Sequence, residues 1–80
     1  MVTFHEAREI VSTHLGVAVD TEGAQDERDY SVFIQYDDPK DVPVDDTLHL
    51  VDRVTGAYHM GSVMNDPGRF LKMEIINDDA

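Results

Sequence analysis

The chain has no cysteine and no tryptophan among its 80 residues, and only two of its six basic residues are lysine. Without cysteine there can be neither a disulfide framework nor a thiolate metal site, so a core near the lower size limit for unaided folding has to hold by packing alone. The same absence suits a cytoplasmic protein. Proline occurs only three times and apolar residues make up 41% of the chain, a balance that argues for a globular fold and against disorder. One small domain spanning residues 1–80 is expected. The N-terminal MVTFHEAREI is charged by its sixth residue and holds no apolar run, so neither a secretory signal nor a membrane span is expected there. Glycine-rich phosphate loops are absent, and no serine or threonine stands beside a histidine in a nucleophile motif. No catalytic residue, cofactor or metal ligand is assigned, and the chain is not read as an enzyme.

What the chain has in excess is acid: seventeen Asp and Glu against six Lys and Arg, a formal net charge of -11. Nucleic acid and anionic membranes would be repelled. Residues 37 to 52 carry six aspartates and one lysine, whereas residues 53 to 80 carry four acids and three bases, so the acidity is concentrated in the middle. Such a segment serves either as a solubilising surface, as in salt adaptation, or as a docking face for a basic partner.

Thr3 and Glu6 have the spacing of a capping box, in which each side chain satisfies a backbone N–H at a helix start. Phe4, Ala7, Ile10, Val11 and Leu15 then fall on one stripe, with Glu6, Arg8, Glu9 and Thr13 on the water side and Gly16 placed for a left-handed cap. Val17 to Asp20 suits a short strand. The polar TEGAQDERD, Thr21 to Asp29, reads as a loop. Tyr30 to Tyr36, YSVFIQY, is the clearest strand and a central one, since neither of its faces is polar throughout. DDPKDVPVDD, with two prolines and five aspartates, cannot enter a sheet interior and is expected to be an exposed acidic loop. It lacks the glycine and the closing glutamate of a calcium-binding EF-hand loop.

Thr47 to Asp52 resumes as a strand, with Ala57 to Val63 as its antiparallel partner. In the intervening DRVTGA, Arg53 to Gly56 form a four-residue connection, with Asp52 accepting from the turn backbone and Gly56 taking positive φ. If Asp52 opposes Ala57, then His49 opposes Met60 and Leu50 opposes His59, which puts the two histidines on opposite faces and rules out a metal pair. His5 and His14, nine residues apart on the first helix, are also poorly placed as joint ligands. Asp66 and Pro67 favour a short C-terminal helix with Phe70, Leu71 and Ile75 turned inward. However, Leu71, Met73 and Ile75 alternate with Lys72 and Glu74 as a strand would.

These elements predict an α+β fold in which an N-terminal amphipathic helix packs on an antiparallel sheet of three to four strands, closed by a short C-terminal helix. The order of helix, YSVFIQY strand, acidic loop and LVDRVTGAYHMGSVMNDPGRFL resembles the small bacterial immunity-protein-35 family, in outline over most of the chain and locally in VDRVTG. That resemblance implies either neutralisation of a co-expressed toxin by protein–protein contact or service as a small intracellular module, and it carries over no catalytic residue. The expected partner is a basic protein such as a toxin, met by Asp37, Asp38, Asp41, Asp45, Asp46, Tyr58 and Met60. The alternative is a structural or oligomerisation module, a homodimer built through exposed apolar residues such as Tyr58, Met60 and Met64, with the acids serving only solubility.

Overall fold

A computed structural model describes residues 1–36, 47–62 and 67–78. The chain starts with helix α1 (Phe4–Leu15), whose capping box forms as the spacing predicts: the Thr3 side chain accepts from the Glu6 N–H and the Glu6 carboxylate accepts from the Thr3 N–H. Gly16 closes the helix at φ 67° and donates to the Ser12 carbonyl. Strands β1 (Val19–Gln25), β2 (Asp29–Ile34), β3 (Thr47–Asp52) and β4 (Tyr58–Ser62) follow, then a one-and-a-half-turn helix α2 (Pro67–Lys72) and strand β5 (Glu74–Asn77). They form a five-stranded antiparallel sheet in the order β4-β3-β2-β1-β5.

The α+β class stands, but the sheet has five strands rather than three to four. Two segments account for the difference. The polar run from Thr21, expected as a loop, forms most of β1, because β2 on one side and β5 on the other take up its backbone groups. The C-terminal segment is helix and strand in succession: α2 ends at Lys72 and Glu74 begins an edge strand. Consequently Leu71 and Ile75, expected inside, are 83% and 55% exposed, and Met73 is the buried residue. Asp66, expected as the cap of α2, lies outside the described residues.

Each face of the sheet has its own core. On one, Ala7 and Val11 of α1 bury against Tyr30, Val32 and Val51, with Phe4, Ile10, Ile34 and Tyr58 packed around them. On the other, Ala24, Leu48, Leu50 and Met73 cluster with Phe33 and with Phe70 of α2. YSVFIQY supplies both faces from the middle of the sheet, so it reads as apolar on both sides. Arg8, expected to face water, is drawn in by the carbonyls of Asp20 and Val19 and by the Asp78 carboxylate, tying α1 to β1 and to the residue after β5.

The β3–β4 corner is built as its sequence indicates. Asp52 Oδ1 accepts from the N–H groups of Val54 and Thr55, the Gly56 N–H donates to the Asp52 carbonyl, and Asp52 N–H donates to Ala57. Those bonds, Thr55 first and Val54 next, hold the Asp52 carboxyl below the usual carboxylate range. Gly56 sits at φ 79°, and a Cβ there would come within 3.2 Å of Val2. Gly56→Val is therefore expected to lower stability by about 1–3 kcal/mol in urea melts; an unchanged midpoint would contradict this corner.

Candidate interaction surface

Register places the sequence-selected residues. His49 pairs with Met60 and Leu50 with His59, so the two histidines of the hairpin point to opposite faces. His59 Nε2 donates to Asp29 at 2.9 Å on the α2 side, while His49 shares a 2.9 Å hydrogen bond with the Tyr58 hydroxyl on the α1 side. Tyr58, expected as an exposed contact residue, is only partly exposed. Its ring lies against His14 and parallel to His49, at centroid distances of 4.7 and 6.2 Å, and burial pushes its hydroxyl up from the ordinary value. It packs against the first core. Met60, next in β4 but one, is 65% exposed. Asp37, Asp38, Asp41, Asp45, Asp46 and Met64 lie outside the described residues.

Met60 borders a depression of about 570 Å³ at the end of the sheet where β2 finishes and β3 begins, lined also by Leu15, Val17, Ile34, Tyr36 and His49. Leu15 and Val17 are there because Gly16 ends α1 and turns the chain before these side chains are covered. Tyr36 and Thr47 both line this depression, so the ten residues 37–46, with five aspartates and one lysine, are covalently anchored at its rim at both ends. Beside it, β4 is an edge of the sheet whose register with β3 runs unshifted from Val51–Tyr58 to Thr47–Ser62. Its sequence YHMGS has no lysine, proline or acid, the side chains that most often discourage an edge from pairing with another strand.

Two ionic clusters lie elsewhere. In the first, Arg69 of α2 reaches Asp26 and Asp29 with bonds of 2.7 and 2.5 Å, and Asp29, its side chain 2% exposed, also accepts from His59. Burial would raise the Asp26 carboxyl, but Arg69 and the N–H groups of Asp29 and Arg28 overcome it and hold the group at about 2. In the second, Asp78 accepts from His5 Nδ1 at 2.6 Å and from Arg8. The bond to Asp78 is the main reason the His5 imidazole is raised from its ordinary value, and Glu9 adds to it. Neither cluster was foreseen from the sequence. The only local sign of the first was the D-x-R-D spacing, in which Asp26 Oδ1 caps the N–H groups of Arg28 and Asp29.

Among the described residues no group of three or more His, Asp or Glu side chains is placed to hold a metal ion, and no helix is long and apolar enough to cross a membrane. The fold and surface define a small acidic α+β domain with an apolar depression beside the β4 edge of its sheet. No protein-family model, no curated protein and no solved structure matches the chain.

Proposed function

We propose that this protein is a binding module that engages a basic protein partner through the Met60 depression and the β4 edge, as an immunity protein engages its toxin. The observation that carries this reading is the joining of both ends of a five-aspartate segment to the rim of an apolar depression. An apolar floor gives a partner's side chain a place to bury. Five carboxylates in the segment that joins Tyr36 to Thr47 would attract a basic surface and speed the encounter. The outline resemblance to the immunity-protein-35 family points the same way.

The test uses a partner captured at low salt from the native lysate and then purified. Replacing Asp37, Asp38, Asp45 and Asp46 by Asn should slow association by about tenfold at low ionic strength and flatten its salt dependence. Met60→Asp should act mainly on the dissociation rate. A quadruple variant that associates at the parental rate with the parental salt slope would reduce the aspartates to a solubilising surface.

A second reading, self-association through β4, draws on its place at the edge of the sheet and its lack of lysine, proline or acid. Two copies carrying -11 each repel, so a homodimer would tighten as salt is added, whereas a complex with a basic partner would loosen. Sedimentation at two salt concentrations separates them.

A further inference from the structure

We propose that the depression between the β1–β2 turn, the β3–β4 corner and α2 binds a single oxyanion, a carboxylate or a phosphoryl group, independently of the Met60 surface. The chain has only six Lys and Arg residues. Four of them, Arg28, Arg53, Arg69 and Lys72, line this one depression of about 520 Å³. Of these four, only Arg69 is paired with a carboxylate among the described residues. Arg28, Arg53 and Lys72 have no carboxylate within ion-pair distance among the described residues.

The two arginines are held together by the backbone. The Arg53 N–H donates to the Arg28 carbonyl at 3.0 Å, and the Arg53 carbonyl accepts from Val2 at 2.8 Å. The Arg53 side chain is fixed as well: Nη1 donates to the Asp26 carbonyl at 2.7 Å and the guanidinium lies over the Tyr30 ring, 5.2 Å from its centre. Its Nε is buried without a hydrogen-bond partner. A guanidinium already immobilised but still without an acid is suited to an oxyanion, because little conformational entropy remains to be lost on binding.

The acids of the depression limit the ligand. Asp26 is taken by Arg69, and Glu74 accepts from Gln25, with Glu27 in the turn. Along the lining four cations face Asp26, Glu27 and Glu74, and the buried Asp29 also shares Arg69, so the local charge leaves room for one anionic head group at most and is unsuited to a polyanion such as nucleic acid.

The experiment is a ¹H–¹⁵N NMR titration of the whole chain, with inorganic phosphate in one arm and a tri-glutamate peptide in the other, at ionic strength held constant with sodium chloride. Saturable shifts at the amides of residues 26–29 and 53 and at Arg53 Nε are expected in at least one arm; which arm responds identifies the head group as phosphoryl or carboxylate. The double variant R28Q/K72Q alters two exposed side chains and should weaken binding by about tenfold or more, as loss of two charge-assisted contacts implies. Shifts no larger than those from sodium chloride alone, in both arms, would overturn the site, and so would a folded R28Q/K72Q that binds as tightly as the parent. If the variant does not fold, the parental titration decides by itself.

Discussion

Arg69→Met is expected to lower stability by about 3 kcal/mol or more, because it leaves the Asp29 carboxylate charged and buried with only His59 beside it. For a chain this short, whose total stability is on the order of 4–12 kcal/mol, that is a large fraction. Asp29→Asn in the Arg69→Met background should recover part of the loss, since an amide still accepts from His59 without bringing a buried charge. The acid limb adds an independent check. Asp26 is held at about 2, below its ordinary 3.8. A depressed carboxyl contributes stability that is present above the unfolded value and lost as pH falls through the window down to the folded one. Arg69→Met removes the side-chain bond that does most to depress Asp26, so the fall in stability between about pH 4 and pH 2 should become shallower in the variant. Urea melts across that range measure both effects; a variant within 1 kcal/mol of the parent at neutral pH, a limit well under the usual cost of breaking a buried pair, would show that the latch contributes little.

Gly23→Ala should be nearly as damaging, by about 2–3 kcal/mol. A Cβ at position 23 would stand 2.6 Å from the Phe4 ring and 2.6 Å from the carbonyl oxygen of Ser31 in the neighbouring strand. The ring can swing away. The carbonyl belongs to the backbone of a central strand and cannot, so Phe4→Leu is not expected to rescue the variant. Gly68→Ala is the control: nothing lies within 4 Å of its Cβ position, and in the helix α2 alanine should be neutral or stabilising by about 0.5–1 kcal/mol. Thermal melts that rank Gly23→Ala with Gly68→Ala would contradict the close approach of α1 to β1.

Gly23 also shows where the sequence stopped informing. In TEGAQDERD a glycine among polar residues signals a loop by local chemistry, and the alternative, that it clears the path for Phe4 some nineteen positions earlier, has no local sign. The same holds for Arg8, Arg53 and Arg69. As letters they are surface cations, and only the fold brings Arg69 to Asp29 across forty positions and Arg53 onto the Tyr30 ring. Tyr58, by its letter an exposed apolar residue, meets His14 near the end of α1, a contact between residues forty-four positions apart.

The sequence by itself determined the features whose physics is complete within a few residues. These are the Thr3–Glu6 capping box, the Gly16 and Gly56 positive-φ positions, the Asp52 turn, the β3–β4 register that follows from it, and the two-faced apolar pattern of β2. Tertiary structure alone decided that β1 runs through a polar segment, that α2 and β5 share the C-terminal stretch, and that four of the cations gather at one end. The reason is that a strand's remaining hydrogen bonds and a charge's partner are supplied from elsewhere in the chain, so the residue carries no record of them until the sheet has closed around it.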